Sequence, residues 1–533
     1  MTRTLLVRAL FAGTAMMLSN AALAQQTEPQ PDPSDATADA AIAAAADVDD
    51  AQAKIELLQA QVEALQESLA QIQASMVKTA PSWKGAPLFE DKEAGWSFKP
   101  RGRLQYDVGY VNNPEDSIIT RNLGFNTRAR RIRLGAEGTI PGGLGYKFEM
   151  DFANASVGFG DVILTYAPKN APITVSIGNH ESFNGLEQIS SSRFSSFVER
   201  AAFDDAFLNT RRIGISAGYA NKAGDLRFNA GLFAAHSIDS SLDNDGWIGA
   251  ARATYSPLMG ANQLHFGANF QHREFQSNAG GSAPTSGSGQ PSSGQLVRYR
   301  ARPYSQLTDQ RFVDTQNFAA KSDDIIGAEA AGIFKSLHIA AEGQYVKTNA
   351  YGRGDTVTFN AATDDPVDQL DLFPSATQYV PNGDPSFWGG YIEAGYFLTG
   401  ETRGYKGGLW DRTKVLKPFS KGGVGAFQVI GRVDYLDLDS GKLKTGCTNN
   451  FLTGLTCTTA GSQLGKGGTQ LGLLAGLTWI PEDYVRVLLN YSHASIEGGP
   501  LATTVEPTTP TSKPIDKRKY GVDTVQARFQ IDF

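Results

Sequence analysis

The chain has 533 residues, a formal net charge of −7 and 41% hydrophobic residues, so it is long enough for several soluble domains or for one large barrel. The acidic balance leaves no global basic field, which argues against a nucleic-acid partner. Beyond the N-terminus no apolar run is long enough to cross a bilayer as a helix, so a membrane-spanning form of this chain would cross as strands. The 57 glycines are consistent with many turns.

Residues 1–24 have the three parts of a secretory signal peptide. Arg3 and Arg8 give a positively charged start, residues 10–18 are apolar, and the last three residues form an A-x-A cleavage site. We therefore expect the mature chain to leave the cytoplasm. Residues 25–47 are rich in Pro, Asp and Ala and are expected to form a flexible linker.

A strict heptad pattern follows over residues 48–78, with apolar side chains alternately three and four residues apart. Such a stripe is more often the seam of an oligomer than the face of a packed helix, so we predict a coiled-coil oligomerisation helix about 45 Å long. Only two of its a positions are β-branched, which leaves the number of helices open. Pro81 and Pro87 end the helix, and residues 79–97 are predicted to be a linker. The apolar positions are Ile55, Leu58, Val62, Leu65, Leu69, Ile72 and Met76.

From Phe98 to the C-terminus the sequence contains 16 candidate amphipathic strands, in which apolar and polar residues alternate. This alternation is typical of strands with lipid on one face and water on the other. The last strand shows it most clearly, because every second residue from Val525 to Phe533 is apolar and those between are polar. The candidates lie near residues 98–111, 127–138, 144–153, 160–168, 171–179, 210–220, 225–236, 246–257, 262–273, 325–334, 336–347, 388–398, 424–437, 468–480, 484–495 and 521–533.

The connections between these candidates alternate between short turns and long loops. Links after even-numbered candidates are mostly tight, and one of them, 399–423, is long where a turn is expected. This asymmetry is typical of outer-membrane barrels, and an even strand number returns the C-terminus to the N-terminal, periplasmic side. The sequence therefore predicts an all-β fold, a 16-stranded antiparallel transmembrane β-barrel over residues 98–533 with an N-terminal periplasmic coiled-coil helix. The long links after odd-numbered candidates are 180–209, 274–324, 348–387, 438–467 and 496–520.

The polar face of each candidate is assigned to the lumen, and most of its basic residues are arginines. The lumen is then net basic in a net acidic chain. Guanidinium groups bind oxyanions through paired hydrogen bonds and keep their charge, so this bias favours anion passage over mixed charge that merely keeps a lumen hydrated. The basic positions are Arg101, Arg103, Arg131, Arg133, Lys147, Arg212, Arg227, Arg252, Arg273, Arg432, Arg486 and Arg528. The acidic positions are Asp107, Glu149, Asp151, Asp161, Glu342, Glu393, Asp434 and Asp532.

Two of the long loops carry further candidate residues. In the loop 274–324, Arg298, Arg300 and Arg302 alternate, so extended backbone would place them on one side about 6.6–6.8 Å apart. A cationic ladder and a solvated loop edge both explain this pattern. The hydroxyl-rich loop 180–209 either folds into the barrel or lies on the surface. In the first case a serine pair offers neutral hydrogen bonds, two arginines offer charge, and a glutamate pairs with one of them. These residues are Ser191, Ser192, Arg193, Arg200 and Glu199.

Cys447 and Cys457 lie in a Gly/Thr-rich segment. In an exported chain we expect a local disulfide here rather than a metal site, which would need more ligands. The sequence contains no pattern that calls for a metal or a cofactor.

Several segments together resemble the phosphate-selective porin O/P family of Gram-negative outer membranes, over roughly residues 50–533. Any one of them alone is a weak signal. The segments are the heptad region, 130–134, 191–200, 302–308, 311–315, 398–401, 423–438 and 526–533.

The resemblance implies a homotrimer of 16-stranded barrels, with an arginine ladder that feeds an anion-binding constriction. It implies phosphate as the preferred anion. Phosphate-specific members share a lysine three residues before the serine pair, where this chain has Gln188, so anion or general porin function is expected as well. The constriction residues implied by the resemblance are Arg130, Arg131, Ser191, Ser192 and Arg200, with Asp161 as the acidic member.

Three other functions were weighed against an anion channel. An oligosaccharide porin would need aromatic residues along the lumen, whereas most Tyr and Phe are assigned to the lipid face. A barrel enzyme would need a Ser, His and acidic set, but no serine motif accompanies the six histidines, each interpreted as wet or interfacial. A tether that works through its coiled coil would be a secondary role. The sequence therefore favours passive diffusion of phosphate or related anions, with a general or other-solute porin as the alternative.

Overall fold

The computed structural model divides at Lys78 into two units, Met1–Lys78 and Thr79–Phe533. The predicted signal peptide and the linker at 25–47 lie outside the described residues. The structure describes residues 52–69, 82–114, 118–119, 121–153, 157–207, 210–238, 246–275, 296–316, 318–350, 378–381, 383–443, 447–450, 454–456, 467–502 and 517–533.

In the N-terminal unit, residues 52–69 form a helix in which every residue is exposed. The heptad stripe lies on its surface, since Ile55 is 50% exposed and Leu65 is 64% exposed. The helix agrees with the heptad pattern over these residues, while its pairing into a coiled coil stays a prediction. The remainder of the predicted coil, 48–51 and 70–78, lies outside the described residues. No helix among the described residues is long and apolar enough to cross a membrane.

The second unit contains 16 long strands, numbered β1 to β16, and each pairs antiparallel with its neighbours in chain order. Strand β16 pairs with β1, so the sheet closes into a barrel and the predicted 16-stranded antiparallel barrel is confirmed. The strands are β1 (Trp96–Val111), β2 (Gly124–Ile140), β3 (Leu144–Asp151), β4 (Gly158–Tyr166), β5 (Ile173–His180), β6 (Arg212–Ala220), β7 (Leu226–Ala234), β8 (Gly246–Tyr255), β9 (Asn262–Phe275), β10 (Phe318–Phe334), β11 (Leu337–Ala350), β12 (Ser386–Phe397), β13 (Ala426–Asp437), β14 (Thr469–Glu482), β15 (Val485–Glu497) and β16 (Lys519–Asp532).

Shorter elements lie between the barrel strands. Two of them, Ser82–Lys84 and Ala86–Asp91, form a ribbon within the predicted linker, and the second pairs with the start of β1. The other short strands are Leu258–Met259, Leu296–Val297, Arg300–Ala301, Val313–Asp314, Gln378–Val380, Tyr405–Lys406, Leu409–Trp410, Cys447–Asn450 and Gly454–Thr456. The helices of this unit are Leu186–Ile189 and Ala202–Ala206, with a 3₁₀ turn at Phe419–Lys421.

The two ends of the barrel differ as the sequence predicts. One end, here called the turn end, carries the short links that follow even-numbered strands, such as 141–143, 335–336 and 483–484. The opposite loop end carries long links such as 181–211 and 276–317. The one long link that the sequence predicts after an even-numbered strand is also present, since residues 398–425 connect β12 and β13 at the turn end.

The two faces of the wall differ in polarity. On β16, Phe529 and Ile531 are 51% and 53% exposed. Arg528 of the same strand is 1% exposed and points inward. Several exposed Trp and Tyr residues of the outer face lie near its two ends, as in a wall that crosses a membrane. They include Tyr110, Trp247 and Trp388 toward the loop end and Trp96, Tyr166, Tyr255 and Tyr396 toward the turn end.

The last residue closes the barrel. The Phe533 N–H donates to the Gly102 carbonyl and the Gly102 N–H donates to the Phe533 carbonyl, each at 3.0 Å. A Cβ on Gly102 would lie 2.1 Å from the Phe533 ring, so only glycine allows the ring to lie across β1.

Gly102→Val should therefore displace the Phe533 ring and weaken closure by about 1–3 kcal/mol, the usual cost of forcing extra atoms into a packed site. The urea midpoint of the folded band in unheated SDS gels measures this change. Gly441→Val is the control, because a Cβ there meets no atom within 4 Å. Equal midpoints for the two variants would show that the contact with Phe533 does not support closure.

Candidate functional site

The described part of the link 181–211, residues 181–207 and 210–211, is called the lumen loop; it folds into the barrel and spans it. Its aromatic residues are buried, with Phe197 at 1% and Phe203 at 0% exposure. Its Ser196 hydroxyl donates to Glu393 on β12 at 2.6 Å. Its Val198 N–H donates to the Asn490 side-chain oxygen on β15 at 2.6 Å. The surface-loop alternative is therefore wrong.

The walls of the barrel satisfy the backbone of this loop. Buried carbonyl groups need donors, and here long side chains from two strands and from the link 398–425 provide them. The carbonyl of Ser192 accepts from Gln105 at 3.2 Å and that of Phe194 accepts from Arg403 at 2.7 Å. Arg486 donates to the Arg193 carbonyl at 2.5 Å and also to the Ser195 carbonyl.

A β-bulge turns two neighbouring arginines into the lumen. Strict alternation would place Arg130 and Arg131 on opposite faces. The register between β1 and β2 shifts between Gln105 and Tyr106, which leaves Arg130 without a cross-strand partner. Both side chains then point inward, as bulges commonly re-aim side chains. Arg131 donates to the Gln105 side chain at 2.8 Å.

The serine pair meets arginines from both the wall and the loop. Arg103 of β1 donates to the Ser192 hydroxyl at 2.6 Å. Arg193 donates to the Ser191 hydroxyl at 3.2 Å. The structure thus brings Arg103 and both serines together, although their part in ion passage stays a prediction.

The predicted partner of Glu199 is wrong. The Glu199 carboxylate pairs with Arg130 at 2.9 Å and with Arg528 at 2.7 Å, rather than with Arg193 or Arg200. The inward turn of Arg130 at the bulge explains this choice. Burial alone would raise the pKa of Glu199, but the two guanidinium groups outweigh it and hold the pKa well below the ordinary value.

Arg193 and Arg200 have other partners. Arg193 lies 3.6 Å from Asp532. Arg200 donates to the carbonyls of Glu187 and Gln188 at 3.0 Å and of Ser190 at 3.1 Å, so it holds the helical turn of the lumen loop together. Gln188 is itself 4% exposed.

Most other predicted wall residues form ion pairs. Arg133 contacts Glu149 at 2.6 Å and Asp151 at 2.7 Å. The further pairs are Arg101 with Glu137, Arg103 with Glu149, Arg273 with Asp323, Asp161 with Lys147 and Arg211, Arg252 with Glu329, and Arg432 with Glu187 and Glu393. Arg528 also pairs with Asp107, and Asp532 with Arg412.

Four arginines, Arg200 of the lumen loop and three beside the loop, differ from this pattern. In the described part of the chain, no carboxylate lies within ion-pair distance of Arg131, Arg200, Arg403 or Arg486. Their partners in the structure include amide and carbonyl oxygens, which leave the positive charge in place. A neutral hydrogen-bond partner orients a guanidinium without neutralising it.

The opposite wall is acidic, and sequence reasoning missed part of it. Glu329 of β10 lies directly across from Glu342 of β11. Glu329 alternates with outward Ala328 and Ala330, which is only a weak signal of an inward residue. Asp323 lies before the start of the predicted strand 325–334. On the lumen loop, burial and the carboxylates of neighbouring Glu187 and Glu342 raise the pKa of Asp204 well above its ordinary value.

The exceptional link 398–425 enters the lumen from the turn end. Its Trp410 N–H donates to the Ser190 hydroxyl of the lumen loop at 3.1 Å. Its Tyr405 hydroxyl lies 2.6 Å from a ring nitrogen of His265. His265 and His338 are only 1% and 0% exposed, so their interpretation as wet or interfacial residues is wrong.

The loop arginines lie on one side of their strand, as the alternation predicts. Arg298 pairs with Asp314 at 2.8 Å and Arg302 with Asp205 at 3.0 Å, and Arg300 lies between them. These carboxylates offset part of the charge of the ladder, whose role in ion passage stays a prediction. The alternating buried residues are Val297, Tyr299 and Ala301.

Cys457 lies outside the described residues, so its disulfide with Cys447 also stays a prediction.

A closed barrel with an apolar outer face and a charged lumen narrowed by an inward loop defines a porin-type channel. The family model described as phosphate-selective porin O and P matches residues 98–506. An uncharacterized protein of Caulobacter vibrioides is 33% identical over 464 residues, which cover 85% of this chain and 77% of that protein. The chain belongs to the phosphate-selective porin O and P family, and it is an outer-membrane porin.

More distant relatives carry functional names. Porin O of Pseudomonas aeruginosa is 25% identical over 423 residues, covering 76% of this chain and 84% of that protein. Among solved structures, the anion-selective porin from Comamonas acidovorans aligns with a TM-score of 0.42 and 14% identity, covering 82% of this chain and 100% of that one. OprB of Pseudomonas putida aligns with a TM-score of 0.44 and 9% identity, covering 83% and 95%.

The lowered pKa of Glu199 predicts how docking of the lumen loop depends on pH. Its ion pairs contribute stability above the ordinary glutamate pKa of about 4.5, and this contribution is lost only as the pH falls through the lower folded pKa. After correction for the intrinsic pH dependence of exchange, amide protection over residues 192–199 should be equal at pH 7 and pH 5. Glu199→Gln should reduce that protection at both values. Hydrogen exchange with mass spectrometry measures it, and Glu90→Gln, outside the lumen, is the control.

Proposed function

We propose that this porin gives passive, anion-selective diffusion of phosphate or related anions through its arginine-lined lumen. The observation that carries the proposal is the group of four arginines in and beside the lumen loop, whose hydrogen-bond partners are neutral. Uncompensated positive charge in a pore with low-dielectric walls lowers the energy of an anion inside it.

The surroundings of Arg131 support weak, multi-site binding rather than tight capture. Arg130, Arg133 and Arg528 lie near it, so an anion bound there would interact with several guanidinium groups at once. Those neighbours are themselves paired with carboxylates, which limits the depth of the binding site. Conduction requires this balance, because an ion that binds too strongly does not leave.

A general porin is the second candidate, and the acidic wall favours it. Glu342 and Asp434 are buried carboxylates of this wall with no arginine within ion-pair distance in the described residues, whereas Glu329 and Glu393 pair with Arg252 and Arg432. Gln188 in place of a lysine also reduces the cationic charge of the loop. If the acids dominate, the channel would be weakly selective or cation-selective.

The reversal potential of the purified protein in a planar bilayer under a KCl gradient distinguishes the two candidates. An anion channel with a phosphate site should reverse on the chloride side, and low concentrations of phosphate should block the chloride current. Weak or cation-side selectivity would overturn the proposal and support the general porin.

Arg131→Gln should weaken the phosphate block by about tenfold or more, because one hydrogen bond to a charged group contributes about 1.5–3 kcal/mol. Its concentration dependence in the same bilayer gives the apparent affinity. Arg121→Gln is the control, since that arginine is 56% exposed on a loop and pairs with Asp309. An unchanged block would remove Arg131 from the binding site.

We also propose that the protein is a homotrimer with its N-terminus in the periplasm, joined through the heptad helix. Deleting residues 48–78 should loosen assembly and leave the barrel intact, because the helix and the barrel are separate units. Light scattering in detergent reports the oligomer, and unheated SDS gels report the folded barrel. A deletion variant that does not insert would show that the helix serves another purpose.

A further inference from the structure

The last part of the link 398–425 lies on the outside of the barrel at the turn end. We call residues 414–424 the rim shelf. The Phe419 ring packs edge-on against Trp479 at 6.4 Å, and Trp479 stacks on Phe427 at 6.1 Å between ring centres. Trp479 and Phe427 belong to the outer faces of β14 and β13, so the shelf continues the membrane-facing wall.

Large apolar side chains of the rim shelf are exposed. Leu416 is 60% exposed, Phe419 64% and Val424 59%. Contiguous exposed apolar surface marks contact with a partner or a membrane.

The backbone of the shelf is held firmly, so this exposure is a property of its fold. The Gly425 N–H donates to the Lys417 carbonyl at 2.9 Å, and the Ser420 N–H donates to Glu482 at 2.5 Å. The 3₁₀ turn Phe419–Lys421 ends at Gly422, whose φ of 76° suits glycine.

Lysines lie between the apolar residues of the shelf. Lys414, Lys417 and Lys421 are all exposed. Residues 414–424 contain these three lysines and no acidic residue, so the charge of the shelf's own side chains is positive. The carboxylates beside the shelf accept hydrogen bonds from its backbone N–H groups; they are Glu401, Glu482 and Asp483. Lysine stems lie along apolar surface while their ammonium groups reach the polar layer, which is the pattern of an interfacial anchor.

We propose that the rim shelf binds the headgroup of an anionic phospholipid in the leaflet that meets the turn end of the barrel. The apolar residues enter the acyl boundary, and the lysines contact the phosphate. This site lies on the outer surface and is independent of what passes through the lumen.

The test is native mass spectrometry of the full chain in detergent, with phosphatidylglycerol or with phosphatidylcholine of the same acyl chains. Wild-type protein should bind phosphatidylglycerol preferentially. The double variant K417Q/K421Q should lose this preference by roughly fivefold for each lysine removed. The control K169Q/K222Q removes two lysines from other turns at the same end and should retain it.

Equal binding of the two lipids by the wild type, or equal loss in the control variant, would overturn the proposal. Phe419→Ser tests the apolar half of the site and should weaken binding of phosphatidylglycerol while the unheated gel still shows a folded barrel. A photoreactive residue at position 419 should crosslink to lipid. Crosslinking to a second copy of the chain instead would make the shelf a subunit contact and overturn the lipid site.

Discussion

The lumen loop depends on one constraint: its backbone lies inside the barrel and must find hydrogen-bond partners there. Gln105, Arg403 and Arg486 reach in from the walls and the second inward link to meet its carbonyls, while Asn490 accepts from its amide. Buried peptide groups left without partners would cost about 1–3 kcal/mol each, so these side chains decide where the loop lies. Arg403 and Arg486 therefore hold the lumen loop in place and also keep a positive charge inside the barrel.

The kind of partner that each lumen arginine binds explains why some parts of the lumen keep a positive charge and others do not. An arginine that donates to carbonyls keeps its charge, whereas Arg432 between Glu187 and Glu393 is neutralised by two carboxylates. The acids lie where the helical turns of the loop dock, and Asp434 accepts from the Ala202 N–H there. The loop is thus held by acidic side chains at its helical turns and by arginines at its carbonyl groups.

The fold could be predicted from sequence because lipid and water impose a two-residue period on every strand. The site could be predicted only in part, because its geometry depends on breaks in that period. The bulge at Arg130 leaves no signature in the residue pattern, so the partner of Glu199 was assigned wrongly. The inward course of the link 398–425 depends on long-range contacts such as that between Trp410 and Ser190, which no local pattern encodes. His265 and His338 are buried for the same reason.

The pairing of Phe533 with Gly102 also sets the order of events in folding. Strand β1 lacks its closing partner until β16 is present, so the barrel cannot close from β1 and its early neighbours alone. Contacts this distant in sequence form slowly and leave strand edges unpaired in the meantime. The unfinished barrel therefore has a long interval in which aggregation competes with insertion, and any factor that shields its edges acts during that interval.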